Sequence, residues 1–258
     1  MKMGAFSDRI GRRCQRAAAS AFARRPFLMK NPGPLISFTF DDFPRSSLSC
    51  GGTILEEYGA RGTYYVSLGL AGQLAPTGDM FTREDLSETL ERGHELGCHT
   101  FHHCDASITP ARVFEESILE NRRALRDLDP TAHFKSFSYP IGVPWPSTKK
   151  RCAQHFLGCR AGGQTFNAGT VDLNYLQAYF LEQSRDQPEA IVAMIEANCR
   201  SRGWLIFATH DVCENPTRYG CRPDFFSTIV ERSVRSGAQV VSVSAGLAAI
   251  GAWPGRSS

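Results

Sequence analysis

Residues 35–43 read Leu35-Ile36-Ser37-Phe38-Thr39-Phe40-Asp41-Asp42-Phe43, an apolar, β-branched and aromatic run that ends in two carboxylates and is followed by Pro44. Such a run predicts a buried strand. In sheets and barrels built from βα units, loops converge and ligands are held at the carboxyl ends of the strands. Because side chains alternate along a strand, we expect one aspartate to face a metal and the other a reacting water. A solvated turn is the alternative interpretation of this fragment taken alone.

Strand-like and helix-like patterns alternate along the rest of the chain. Strands are predicted at residues 62–66, 95–98, 134–139, 204–208 and 238–243, and helices at 46–58, 82–93, 110–128, 188–202 and 223–235. Between Cys159 and Gln183 only weak strands near Cys159 and Leu176 are expected. The alternation predicts an α/β fold with a parallel sheet, and 258 residues suit one barrel domain. The first strand is not followed by a Gly-rich phosphate loop, which argues against a nucleotide-binding sheet.

The first 30 residues carry most of the basic charge. They hold eight Lys and Arg against Asp8 alone, so the remaining chain is mildly acidic although the whole carries +3. The acidic remainder offers no broad basic face for nucleic acid. Phe6, Ile10, Cys14 and Phe22 have helical spacing, so residues 1–32 are expected to form a basic, helical extension. Packing on the barrel is favoured; weak contact with an anionic membrane surface and a transit peptide are the alternatives.

The nine cysteines indicate a reducing compartment. Their number is odd and none forms a C-x-x-C pair, which suits reduced thiols better than a disulfide framework. The stretch at 17–23 is too short and too closely flanked by arginine for a secretory signal, and we find no segment long enough to span a membrane. We therefore expect a cytoplasmic location.

Polar side chains follow four of the predicted strands. Asp42 together with His99 and His103 would make a site of two imidazoles and one carboxylate with open positions, the kind that activates water. The four-residue spacing of the histidines would place them on one face of a helical turn. Cys104 and His102 are weaker competitors. The four strand ends are Asp41-Asp42, His99-Thr100-Phe101-His102-His103, Ser138-Tyr139-Pro140-Ile141-Gly142 and Thr209-His210-Asp211.

These motifs resemble the polysaccharide deacetylases with the NodB homology domain, carbohydrate esterase family 4. Residues 39–42 match the family's T-F-D-D motif, residues 99–103 its H-S/T-x-x-H motif, and residues 205–210 its late strand that ends in histidine. The resemblance covers roughly residues 33–247 and implies a distorted (β/α)7-type barrel, a single catalytic domain at 33–258. It implies Asp41 as general base, His210 as general acid, and Asp42, His99 and His103 as ligands of a divalent metal. Zn²⁺ is the first expectation, with Co²⁺, Mn²⁺ or Ni²⁺ as alternatives.

The third and fourth motifs depart from the family pattern. Ser138 stands where many members have an arginine that orients the base, so the tuning of Asp41 is left unexplained. Tyr139 and Pro140 are predicted to bind substrate, with the Tyr139 N–H facing an oxyanion. The family's Asp-Trp pair is not recognisable. Its candidate substitutes are Asn167, Asp172 and Arg185.

The function expected from this resemblance is metal-dependent removal of acetyl groups from saccharides containing N-acetylglucosamine. Chitooligosaccharide is the first expected substrate, and an N-acetylated saccharide the expected partner. One alternative is hydrolysis of a formamide or cyclic amide on the same barrel. Another is a carbohydrate-binding protein that retains the metal without turnover.

Overall fold

A parallel sheet, in which the run at residues 35–40 is a central strand, organises the fold. The computed structural model describes residues 3–252. The strands of this part of the chain are β1 (Pro26–Leu28), β2 (Leu35–Phe40), β3 (Thr63–Val66), β4 (Leu74–Ala75), β5 (Gly78–Asp79), β6 (Glu95–Cys98), β7 (Ser136–Ser138), β8 (Gly158–Arg160), β9 (Thr170–Asp172), β10 (Tyr179–Phe180), β11 (Trp204–Thr209) and β12 (Gln239–Val240).

Seven of these strands pair in the order β10-β11-β2-β3-β6-β7-β8, every pair parallel, and β12 adds to β2. The curled sheet is the predicted distorted (β/α)7-type barrel. Strand β1 pairs with β9, and β4 with β5, as separate antiparallel ribbons. The β4–β5 ribbon lies in the segment that its Gly and Pro content marks as a loop, so the structure adds a hairpin there.

Helices connect the strands and cover the sheet. Among residues 3–252 they are α1 (Met3–Ala21), α2 (Thr53–Glu57), α3 (Arg83–Glu91), α4 (Ala111–Leu128), α5 (Pro146–Cys152), α6 (Pro188–Arg200), α7 (Pro223–Arg235) and α8 (Val243–Ala249). A π-helical segment, Ser47–Gly52, precedes α2. The Thr82 side chain accepts from the Asp85 N–H and the Asp85 carboxylate accepts from the Thr82 N–H, a capping box at the start of α3. None of these helices is long and apolar enough to cross a bilayer.

The core divides into two layers because side chains of β2 alternate between its faces. Phe38 and Phe40 pack towards the helices, where the Phe38 ring lies 5.5 Å from the Phe226 ring of α7. On the other face Leu35 joins a second cluster with Trp204, whose Nε1 donates to Ser37 Oγ at 2.9 Å. All six residues of β2 are buried. The strand is therefore fixed on both faces, and its carboxyl end is held firmly.

Helix α1 packs against the barrel, the favoured of the alternatives for the N-terminus. The buried Lys149 of α5 donates from Nζ to the backbone carbonyls of Ala19 and Phe22 and to Asp172 Oδ2. Further along the helix, Gln15 Nε2 donates to the carbonyls of Ser107 and Val143, at 3.1 and 2.8 Å. These contacts attach α1 to α5 and to loops at the carboxyl ends of β6 and β7.

Candidate active site

The carboxyl ends of β2, β6 and β11 bring the predicted metal ligands and catalytic residues together. One ligand atom from each of Asp42, His99 and His103 lies within 4.8 Å of the others. His210 follows β11, and its Nε2 lies 4.0 Å from Asp42 Oδ2. Asp41 and Asp42 are both buried, at 4% and 5% exposure. The sequence thus predicted which residues meet, although they come from three separate strands.

Asp42, His99 and His103 are oriented as metal ligands would be. The Nδ1–H of His99 donates to the Ser138 carbonyl at 2.8 Å, which leaves Nε2 with a lone pair 3.5 Å from Asp42 Oδ1. His103 Nε2 lies 2.9 Å from the same oxygen. That oxygen is buried without an aligned hydrogen bond, whereas Asp42 Oδ2 accepts from Thr77 Oγ1 at 3.0 Å. An unsatisfied carboxylate oxygen facing two imidazole nitrogens fits a divalent cation.

The protonation states of His99 and Asp42 agree with that fit. Burial lowers the pKa of His99 to about 4, so its imidazole is neutral at physiological pH. Burial acts to raise the pKa of Asp42, but the neighbouring imidazoles, His103 first, outweigh it and hold the pKa well below its usual value. A neutral imidazole and an ionised carboxylate are the forms that bind metal.

The spacing of His99 and His103 predicted a helical turn, but an irregular loop brings their side chains together instead. Residues 99–103 form an irregular loop, in which Thr100 and His103 have φ of 61° and 49°. The loop turns the two rings to a centroid distance of 5.1 Å. Asp42 also has a left-handed backbone, with φ of 63°. Non-glycine residues rarely adopt this region, and its concentration here is typical of functional sites.

Arg160 is the residue of this site that the sequence interpretation missed. Its guanidinium donates to both carboxylate oxygens of Asp41 and to Ser138 Oγ. The side chain is 2% exposed and lies between the rings of Tyr65 and Phe180, 5.2 and 5.4 Å from their centroids. It therefore occupies the place left by the small Ser138 and performs the contact that the third-motif arginine was expected to make.

The strand register explains how Arg160 reaches Asp41. Strands β7 and β8 are parallel neighbours, and Ser138 lies directly opposite Arg160. Burial acts to raise the pKa of Asp41, but Arg160, with smaller contributions from His99 and His210, outweighs it and lowers the pKa below its ordinary value. The available signal in the sequence was an arginine at the end of the weak strand near Cys159, in the segment that was hardest to interpret.

His210 faces the same cleft. Its Nδ1–H donates to the Tyr219 carbonyl at 3.3 Å, which directs Nε2 towards Asp42. The neighbouring Asp211 turns away and accepts from the N–H and Oγ1 of Thr217, at 2.7 and 2.6 Å. Asp211 thereby shapes the loop at 211–222, and this loop in turn holds His210.

The structure corrects the predicted role of Tyr139. Its N–H donates to the Arg160 carbonyl at 3.0 Å as part of the sheet, and its hydroxyl donates to the Asn174 carbonyl. That N–H is consequently not free to face an oxyanion. Pro140 begins the adjoining loop, and its contact with substrate stays a prediction.

None of the three substitutes considered for the family's Asp-Trp pair contacts the site residues described above. Asp172 pairs with Lys149 at 2.7 Å, and Asn167 hydrogen bonds to the backbone of Gln177 and Trp204. The Arg185 guanidinium donates to backbone carbonyls of its own loop and of the 211–222 loop. The charged partner of Asp41 is Arg160 instead.

Comparisons with known proteins agree with this geometry. A family model described as polysaccharide deacetylase matches residues 29–161. No curated protein matches the chain.

Solved structures share the fold. The Xyl-CE4 domain of a multidomain xylanase from the hindgut metagenome of Trinervitermes trinervoides superposes with a TM-score of 0.59 and 19% identity, covering 85% of this chain and 92% of that domain. PdaA of Bacillus subtilis, a family 4 carbohydrate esterase, gives 0.55 and 12%, with 89% and 87% coverage. A CE4 family pseudoenzyme from Bacillus anthracis gives 0.57 and 8%, with 84% and 66%. Identities this low show a common fold alone.

Proposed function

The chain belongs to the polysaccharide deacetylase family, and from that premise we propose that it is a metal-dependent de-N-acetylase acting on saccharides that contain N-acetylglucosamine. The observation that carries the proposal is the convergence of Asp42, His99 and His103 beside a second, separately held carboxylate, Asp41. One set of side chains suits a cation and the other a proton. Hydrolysis of an acetamide needs both functions.

Asp42, His99 and His103 would hold the cation. A divalent cation there would supply Lewis acidity, polarising the acetamide carbonyl and lowering the pKa of a water. Asp41 accepts the proton of the attacking water. His210, whose Nε2 lies 4.0 Å from Asp42 Oδ2, donates a proton from Nε2 to the departing amine nitrogen.

Arg160 has two opposing effects on Asp41, the proposed base: it favours the ionised carboxylate and it lowers the proton affinity of that carboxylate. A buried carboxylate without a partner would hold a proton at neutral pH and could accept no other. The guanidinium keeps Asp41 ionised, although it also reduces the carboxylate's affinity for the proton that it must take. We infer that ionisation is the more important requirement, because a protonated carboxyl group is too weak a base to take a proton from water.

Chitooligosaccharide is the first substrate we propose, in a cytoplasmic setting. The support is indirect: the nine cysteines are all unpaired in the structure, as expected in a reducing compartment. The metal is proposed to be Zn²⁺, since two imidazoles and a carboxylate suit it. A pseudoenzyme among the structural neighbours keeps the same fold, so turnover has to be measured directly.

The test is acetate release from chitooligosaccharides by the purified chain after reconstitution with Zn²⁺ or Co²⁺. We expect release by the parent chain and at least a hundredfold loss in Asp41→Asn, which removes the base. Asp79→Asn, an exposed carboxylate on β5, is the matched control and should retain activity. Circular dichroism of each variant excludes loss of fold as the cause.

Other outcomes separate the alternatives. Release of formate from N-formyl sugars without acetate release would indicate the amide hydrolase with a different acyl group. Glycan binding that survives Asp41→Asn, with no acyl release by a parent chain holding one equivalent of metal, would indicate a binding protein. Either result would overturn the proposed deacetylase activity.

A further inference from the structure

Two loops beside the cleft expose apolar side chains. Ile108 is 78% exposed, Ile141 71% and Trp145 44%. The loops are joined, since the Ala106 N–H donates to the Pro140 carbonyl at 3.2 Å and Trp145 Nε1 donates to the Ser107 carbonyl at 2.9 Å. We call Ile108, Ile141 and Trp145 the apolar rim. It follows β6 and β7, whose carboxyl ends place His99 and Ser138, and therefore lies at the same end of the barrel as the site.

Ile141 is held in an unfavourable backbone conformation. Its φ is 61°, in the left-handed region that β-branched residues almost never adopt. Such strain costs about 1–3 kcal/mol and persists only where the surroundings impose it. The Ile141 side chain is exposed to water, so its burial does not offset the backbone strain. An external apolar partner would account for both features.

The apolar rim is attached to the basic helix α1. Gln15 Nε2 donates to the carbonyls of Ser107 and Val143, one in each rim loop. Arg13 and Arg16, on either side of Gln15, are exposed. The sequence of α1 holds four arginines and one acid. An apolar rim and a positively charged helix thus share one end of the barrel. Asp105, in the first rim loop, accepts from Ser107 Oγ at 2.6 Å.

We propose that this surface docks on an anionic lipid bilayer, with the apolar rim entering the headgroup region and α1 lying against the lipid phosphates. Trp and Ile beside Arg are the composition of interfacial membrane anchors, since the apolar groups bury at the acyl boundary while arginine pairs with anionic lipid. A neutral glycan offers no charge to the exposed Arg13 and Arg16, whereas lipid phosphates attract them. Docking would turn the cleft towards the membrane, which extends the proposed function to saccharides carried on a lipid.

The test is co-sedimentation of the full-length chain with phosphatidylcholine vesicles, with and without phosphatidylglycerol. We expect binding to the anionic vesicles that weakens in high salt. Ile108→Ser with Ile141→Asn should weaken it about tenfold or more, because two apolar side chains no longer enter the interface. Arg13→Gln with Arg16→Gln should weaken it by about fivefold or more at low salt.

A matched control lies at the other end of the barrel. Leu90 is 37% exposed near the end of α3, where the chain enters the amino end of β6, and Leu90→Ser should bind like the parent. Asn tolerates the left-handed region, so the double apolar variant should fold. The assay contains no sugar, and its result is therefore independent of whether the chain is a deacetylase.

The proposal is overturned if the parent chain stays in the supernatant with anionic vesicles, or if the double apolar variant sediments as the parent does. It is also overturned if the rim substitutions abolish binding to an N-acetylated polysaccharide while no vesicle binding is found. That result would assign the rim to the glycan.

Discussion

Removal of Arg160 should destabilise the protein most at neutral pH. Arg160 and Asp41 are 2% and 4% exposed, so in the metal-free chain Arg160→Met leaves a carboxylate in the interior without its guanidinium partner. Asp41 avoids carrying an unpaired buried charge only if it takes up a proton. The unfolded pKa of about 3.9 lies roughly three pH units below pH 7, so at about 1.4 kcal/mol per unit this protonation costs about 4 kcal/mol. Loss of one partner of a buried pair typically costs about 3–5 kcal/mol, which agrees.

The pH dependence has a definite sign. In the parent chain the pKa of Asp41 is depressed, so its stabilisation is present above the unfolded pKa and is lost as pH falls towards the folded one. In Arg160→Met the strongest group opposing burial is gone, so burial dominates and raises the pKa of Asp41, and stability is lost as pH rises. The difference in unfolding free energy between parent and variant should therefore shrink by about 1.4 kcal/mol for each pH unit between 7 and 5.

Urea denaturation at pH 7 and pH 5 provides the measurement. Asp41→Asn and the Arg160→Met/Asp41→Asn double variant complete a double-mutant cycle, in which the double variant should lose less than the sum of the singles. Arg200→Met is the control: its side chain is 71% exposed and lies 3.6 Å from Glu196, a surface pair worth little. A loss below about 1 kcal/mol for Arg160→Met, equal at both pH values, would refute the argument.

Three further predictions concern other parts of the site. Thr77→Val removes the hydrogen bond to Asp42 Oδ2 and should weaken Zn²⁺ binding about 10–100-fold in a competitive chelator titration; unchanged affinity would contradict it. Gly97→Ala places a Cβ 2.4 Å from the Tyr65 ring, so we expect a loss of about 1–3 kcal/mol by chemical denaturation; a variant as stable as the parent would show that the ring moves freely. Ile141→Asn relieves the left-handed strain and should raise the unfolding free energy by about 1 kcal/mol; a lower melting temperature would count against this.

Much of the barrel was predictable because its strands have strong local signals. The apolar runs at 35–40 and 204–209 became the adjacent buried strands β2 and β11, and the Thr82 cap began α3. The least readable segment, 159–183, folds into very short strands, such as Tyr179–Phe180. Two-residue strands are defined by their neighbours in the sheet, so no periodic pattern in their own sequence could reveal them.

The site was predictable where adjacent residues carry the chemistry and not where distant residues meet. Asp41 and Asp42 are consecutive, and His99 lies at the end of a strand with a clear sequence pattern. The local sequence was therefore enough to place these residues at strand ends. The partner of Asp41 lies 119 residues further along the chain and is brought near by the pairing of β7 with β8. Only the register of that pair places Arg160 beside Ser138, and register depends on tertiary structure.

The pairing of Ser138 with Arg160 also constrains the evolution of these two positions. An arginine at position 138 beside Arg160 would place two like charges in a space that fits one. Loss of Arg160 first would leave Asp41 buried without its guanidinium partner. Since either single substitution would destabilise the site, we expect positions 138 and 160 to co-vary among related sequences. Grafting the more common motif into this chain would accordingly require both exchanges at once.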